Sequence, residues 1–324
     1  MKGFALLLMG GFAVAISVMP ARATETKHIA ITTIVEVPQL LEVKNGLLKG
    51  LGEAGYVEGK NLVVDYQSAQ GEFATAQQIA RKFVGESPDV IFSISTPSTE
   101  TVAAATKTIP IVFAPVTDPI AAKVIKSFET PGGNVTGVSD FAPIAQQLDL
   151  MKKIIPNLKR LGFVYDPGLD SSLSYLRDIK GEAQKRGWTV VEAAAPNAND
   201  VIGAMRNLVG KTDAVYIPND TTVVTALEAI VKVAQQAHLP VFTGETRGVQ
   251  RGAVASLSYN YTDVGLVAAG LVERVFKGEK PADISALRMA DVAKHLQLVI
   301  NKTSAEKMGV TIPADLLKQA DKVY

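Results

Sequence analysis

Cysteine is absent from the 324 residues, and histidine, tryptophan and aromatic residues as a class are scarce: three His, one Trp, 6% aromatic. Without cysteine no disulfide can staple the fold, so its stability has to come from its own core. Nor is there a cysteine to carry a lipid anchor. His28, His238 and His295 are scattered, and none has the spacing of a metal ligand or of a nucleophile–base pair. They read as structural or surface residues. G-x-S-x-G, H-E-x-x-H and G-x-x-x-x-G-K motifs are all missing. These absences leave no expected catalytic residue, metal or cofactor. What remains of an enzyme reading is a pair of carboxylates across a crevice, with no argument for a raised pKa behind it.

Charge of one sign is also lacking. The formal net charge is +1, and removing Lys2 and Arg22 with a leader leaves the balance slightly negative. Such a surface gives no electrostatic reason to bind nucleic acid. Only one long apolar run is present, FALLLMGGFAVAISVM, preceded by Lys2 and followed by the small-x-small site Ala21-Arg22-Ala23. Residues 1–23 therefore read as a secretory signal peptide rather than a retained span. Export without cysteine fits a bacterial periplasm, with the mature chain free and not lipid-anchored.

What is present is an alternation. HIAITTIV, NLVVDYQSA, PDVIFSIS and IPIVFAPV are β-branched apolar runs separated by amphipathic segments such as PQLLEVKNGLLKGLGEAGY. That order predicts an α/β fold with a parallel sheet covered on both faces. The order then restarts with RLGFVYDP, WTVVEAAAP, TDAVYIPND and LPVFTGET. Asp89 aligns with Asp213, Thr96 with Asp220 and Pro110 with Pro240, so two similar lobes are expected. The turn at Pro131-Gly132-Gly133 closes the first. Lobe one is read as 24–140 plus about 262–290, and lobe two as 141–261 plus about 291–324.

Ligands bind beyond the carboxyl ends of strands in open parallel sheets. In lobe one those ends carry Glu36, then Thr96, Pro97 and Ser98, then Thr117 and Asp118, then Ser139 and Asp140. Lobe two offers Tyr165, Asn219, Asp220 and Glu245. The hydroxyl-rich STPST at a helix start suits a carboxylate. The acids of PND and GET suit an ammonium. Each residue taken alone is more simply a helix cap; the functional reading rests on their convergence. Asp220 has a particular claim, because Thr221 or Thr222 can cap the next helix in its place. The expected arrangement holds a ligand carboxylate at Thr96 and Ser98 and its ammonium at Asp220, with Asp118 or Glu245 assisting. Phe141, Tyr165, Tyr259 and Tyr261 fall near the lobe junction, either covering an apolar ligand or packing the hinge. Arg247 is read as facing solvent.

The stretches GYVEGKNLVVDYQSAQG, STPST, PVTDPI, PGGNVTGVSD and RGAVASLSYNYTDVG resemble the ABC-importer substrate-binding proteins of the tryptophan/tyrosine type, over nearly all the mature chain. The resemblance implies a type I periplasmic-binding fold, two lobes joined by a three-crossing hinge. It also implies capture of a small amino acid, apolar or aromatic, for a membrane permease and its ATPase, by a monomer that is not an enzyme. The family's binding loops fall on Thr96, Pro97 and Ser98, Thr117 and Asp118, Ser139 and Asp140, Asp220 and Glu245. The chain departs from the family's pattern at Val35–Pro38, Pro218–Thr221 and Gly244–Arg247, which leaves side-chain specificity open. A ligand sensor docking on a membrane receptor shares the fold and the site, and is the alternative.

Overall fold

The computed structural model describes residues 25–324; the expected signal peptide lies outside them. Thirteen strands form two sheets. The first contains β1 (Lys27–Thr33), β2 (Leu62–Ser68), β3 (Val90–Ile94), β4 (Ile111–Val116), β5 (Val135–Ser139) and, from far along the chain, β11 (Leu287–Arg288). Its order is β11-β5-β4-β3-β1-β2, parallel throughout. The second contains β6 (Arg160–Tyr165), β7 (Thr189–Ala194), β8 (Ala214–Ile217), β9 (Val241–Thr243), β10 (Ala255–Ser258), β12 (Gln297–Ile300) and β13 (Lys322–Val323). Its order is β13-β12-β10-β9-β8-β6-β7, parallel except where β12 runs against β10. The chain passes between the sheets three times: after β5, after β10 and after β11. The expected α/β architecture of two parallel-sheet lobes is what forms.

The period of two along each strand explains the layering. Ile29 and Ile31 of β1, Val90 and Phe92 of β3, and Val112 and Ala114 of β4 face one way. Ala30, Ile91, Ile111 and Phe113 face the other. The first face packs under α1 (Pro38–Glu53) and α9 (Tyr261–Phe276), in an apolar cluster that runs on through the crossings into lobe two. The second packs under α2 (Phe73–Glu86), α3 (Thr96–Ala105) and the loop carrying Ala122, Val124, Ile125 and Phe128. Lobe two is covered by α4 (Ile144–Ile154), α5 (Asp170–Lys185), α6 (Val201–Leu208), α7 (Leu227–Ala237) and the short α8 (Arg247–Gln250).

Helix α1 starts at Pro38, whose fixed φ suits a first turn, and turns Leu40, Val43, Leu47 and Leu51 inward at helical spacing. It crosses α9 at two glycines. A Cβ on Gly46 would run into the carbonyl of Thr262, and one on Gly265 into that of Val43. Only glycine lets these backbones approach so closely. Helix α9 is capped by Asn260, whose side chain accepts from the Thr262 and Asp263 N–H groups. That crossing ties the start of α9, and with it Tyr261, to the middle of α1.

Candidate functional site: a cavity between the lobes

Between the carboxyl ends of the two sheets lies a small cavity. Lobe one contributes Gln39 and Leu40 from the first turn of α1, Ser95, Thr96 and Pro97 from the β3–α3 turn, and Pro115 and Thr117 from β4 and its end. Asp140 enters after β5. Lobe two contributes Ser171 from the first turn of α5, and Asn219, Thr221 and Val224 after β8; Tyr261 enters where α9 begins.

The one charged lining group is Asp140, 2% exposed. Its Oδ2 accepts from the Tyr261 hydroxyl at 2.6 Å and from Asn219 Nδ2 at 3.2 Å. Asn219 Nδ2 also donates to the Tyr261 oxygen at 2.6 Å. The Asp140 Oδ1 is buried with no partner. Burial pushes the Asp140 carboxyl above the usual carboxylate range, against the pull of the Tyr261 and Asn219 hydrogen bonds. A buried acid with one oxygen satisfied by the protein and the other free is set up to receive a cation. Gln39 Oε1 and Asn219 Oδ1 are two further buried acceptors of lining residues without a partner.

Opposite in character is the start of α3. No side chain caps it and its first turn holds no acid. Its N–H groups and positive dipole end are therefore open to an anion. Ser95, just before it, has φ +86 and ψ 157, a conformation nearly reserved for glycine. Strain of about 1–3 kcal/mol is typical of such residues, and here it aims the turn at the cavity. Leu40, Pro97, Pro115, Val224 and the Tyr261 ring supply apolar surface.

Five of the sequence-predicted residues thus meet at the cavity: Thr96, Pro97, Thr117, Asp140 and Asn219. The others do not line it. Asp220 is the main correction. Its Oδ2 accepts from the Asp166 N–H at 2.6 Å and the Ser172 hydroxyl at 2.7 Å. Its Oδ1 accepts from the Thr222 and Val223 N–H groups, both at 2.9 Å. Both oxygens are spent, the residue is fully buried, and no lone pair faces the cavity. Asp220 caps the turn after β8 and pins the β6–α5 loop. Asp118 is also turned away from the ligand role, accepting from the Ala121 N–H at 3.0 Å and from Ser174 and Arg177, both at 3.1 Å.

Glu245 accepts from the Arg247 N–H at 2.5 Å and lies outside the lining, its carboxyl pushed up to about 7 by burial. Ser98 is buried behind Ser95, with the two hydroxyl oxygens 3.5 Å apart. Ser139 donates to the Thr117 carbonyl at 2.7 Å and so braces the loop. Tyr165 reaches Glu192 at 2.9 Å and packs on Phe163, away from the cleft. Glu36 is exposed and accepts from the Tyr66 hydroxyl at 2.8 Å. Of the junction aromatics, Tyr261 lines the cavity, while Phe141 packs on Tyr175 and Tyr259 donates to the Phe141 carbonyl, all within the hinge. Arg247 is partly exposed and pairs with Glu42 of lobe one.

Gln39, Ser171 and Thr221 are polar lining residues that strand-end reasoning passed over, whereas Ser95 is one of the strand-end residues it reaches. Gln39 stands six residues beyond β1, where the first turn of α1 comes back to the mouth of the sheet. Ser171 and Thr221 sit in first turns after strands, the same signal applied a few residues later.

Relatives share this architecture. Residues 28–324 match the family model described as ABC transporter substrate binding protein. A tyrosine-binding protein of Clostridioides difficile is 35% identical over 293 residues, covering 90% of this chain and 84% of that protein. The crystal structure of an ABC domain in complex with L-Trp from Streptococcus pneumonia is 32% identical, with a TM-score of 0.88 over 93% of this chain and all of that one. The ligand-free, open structure of a substrate binding protein with adhesive properties from Clostridium difficile is 33% identical, with a TM-score of 0.70 over 92% of this chain and 99% of that one. By its sequence match along almost the whole described length, and by its two-lobed fold, the chain belongs to the ABC transporter substrate-binding protein family.

Proposed function

We propose that the cleft captures a zwitterionic amino acid with an apolar or aromatic side chain, for delivery to a membrane permease and its ATPase. The observation that carries this reading is the buried, partnerless Oδ1 of Asp140 on a cavity that also receives the uncapped start of α3. One end offers a home for an ammonium, the other for a carboxylate. The tyrosine-binding and L-Trp-bound relatives support an aromatic ligand.

In this reading the ligand's ammonium meets Asp140 rather than Asp220, and its carboxylate meets the first turn of α3 near Thr96. Tyr261 and Asn219 orient the Asp140 carboxylate and so act one step removed from the ligand. Gln39 Oε1 offers a second acceptor. The protein works as an exported monomer in the periplasm, without catalysis of its own. No helix among the described residues is long and apolar enough to cross a membrane.

The test is titration calorimetry of the protein, unfolded and refolded to strip co-purified ligand, against the twenty amino acids. L-tyrosine or L-tryptophan is expected to bind and to be recovered chemically unchanged. Binding to none of the twenty removes the amino-acid reading; turnover of the bound ligand removes the non-catalytic one. Capture of a receptor in place of a permease from the inner membrane would favour the sensor alternative.

A further inference from the structure

Two ion pairs join the lobes without touching the cavity. Arg247, on α8 of lobe two, pairs with Glu42 on α1 of lobe one. Arg177, on α5 of lobe two, pairs with Asp118 of the loop after β4 in lobe one, at 3.1 Å, and Ser174 of α5 donates to the same carboxylate oxygen at 3.1 Å. In both pairs the acid is the more buried partner: the Glu42 and Asp118 side chains are 19% and 20% exposed, against 38% for Arg247 and 62% for Arg177. Both ends are braced within their own lobes. Asp118 Oδ1 accepts from the Ala121 N–H, and the Arg247 N–H is held by the buried Glu245.

The pairs lie on opposite faces of the lobe-one sheet. Glu42 is on α1, which packs with α9 on the face of Ile29 and Val112. Asp118 opens the loop whose Ala122, Ile125 and Phe128 pack with α2 and α3 on the face of Ala30 and Ile111. The cavity sits at the strand ends between them. One bridge alone leaves the lobes free to twist about it; two bridges astride the cavity resist both opening and twisting. The lobes are also arranged more as in the L-Trp complex than as in the open, ligand-free relative, with TM-scores of 0.88 and 0.70 at nearly equal identity. The contacts seen are therefore those of a closed arrangement.

We infer that Arg177 and Arg247 are closure residues, which set how tightly the cleft retains its ligand by stabilising the closed lobes while contacting no ligand atom. The inference rests on the reading of the cleft as a capture site that closes on its ligand. Opening returns both arginines to water, so a ligand that requires closure binds more weakly when the bridges are gone. Partly exposed pairs are modest, so the single variants Arg177→Ala and Arg247→Ala are expected to lose about twofold to fivefold in affinity, and the double variant roughly tenfold. The loss should appear in the dissociation rate. Raising salt should weaken the wild type toward the double variant and leave the variant itself nearly unmoved.

The experiment has two arms. Small-angle scattering of ligand-free protein needs no ligand identity: the double variant should have a larger radius of gyration than the wild type. Stopped-flow release of L-tryptophan or L-tyrosine should be faster in the double variant, with an unchanged melting temperature for the ligand-free protein. Exchanging the charges, Glu42→Arg with Arg247→Glu, should make release slower than in Arg247→Ala and bring it back toward the wild-type rate. Equal radii together with equal release rates overturn the inference. A changed radius in a protein that binds none of the amino acids retains the closure residues and removes only the amino-acid reading.

Discussion

Asp140→Asn separates ligand capture from folding more cleanly than any other substitution in the cleft. The wild-type carboxylate is 2% exposed, with Oδ2 satisfied by Tyr261 and Asn219 and Oδ1 without a partner. In the free protein this is an unfavourable place for a charge, as the raised pKa states. Asparagine keeps the shape and removes the charge, so the ligand-free melting temperature should hold or rise. With ligand present the balance reverses. An ammonium at Oδ1 loses its counter-charge and faces the amide in a buried site. Removing one partner of a buried charged pair costs about 3–5 kcal/mol, and the lower figure corresponds to about a hundredfold or more in Kd. Calorimetry with L-tyrosine and L-tryptophan measures the first quantity, and thermal unfolding without ligand the second. An affinity within threefold of wild type, or a loss of affinity matched by an equal loss of ligand-free stability, would refute the assignment of Asp140 to the ammonium.

Three further outcomes are expected. Asp220→Asn should act on stability and not on the ligand contact, because the new amide donor must face two of the four donors; about 1–3 kcal/mol is expected from chemical denaturation, with ligand affinity preserved under conditions where the variant is folded. Glu245 has a folded-state carboxyl near 7 against an ordinary 4.5, so its contribution is full below about pH 4.5 and is lost as pH rises through about 7, a loss of up to roughly 3 kcal/mol; the stability of Glu245→Gln relative to wild type should therefore climb across that window, and a parallel pair of pH profiles would contradict the shift. Gly46→Ala should lower the melting temperature by several degrees by forcing α1 off α9, since overpacking at backbone contact costs about 1–3 kcal/mol or more; an unchanged melting temperature would show that the crossing has slack.

Much of this molecule is legible in its sequence. The alternation of β-branched runs with amphipathic segments states the parallel sheets, because strands buried on both faces need apolar residues at successive positions and crossovers need helices. The repeat of element order states the two lobes. Strand-end position, which follows from the way helices cover a parallel sheet, brings Thr96, Thr117, Asp140 and Asn219 to one cleft. The same rule treats Asp140 and Asp220 alike, since both are acids just past a buried strand.

The tertiary structure decides between them. Asp220 is met by donors from its own turn and by Asp166 and Ser172, brought beside it only because β6 and β8 are neighbours in the sheet. Asp140 is met by Tyr261 and Asn219 from two other segments, and they reach only one of its oxygens. Which lone pair is left over depends on side-chain direction and on donors contributed from distant positions. Neither is encoded in spacing along the chain. Arg247 follows the same logic, since its partner Glu42 comes from the other lobe. The sequence by itself determined the sheets, the lobes and the rim from which a site is built. The folded lobes determined which carboxylate remains open to a ligand, because hydrogen-bond competition is settled in three dimensions.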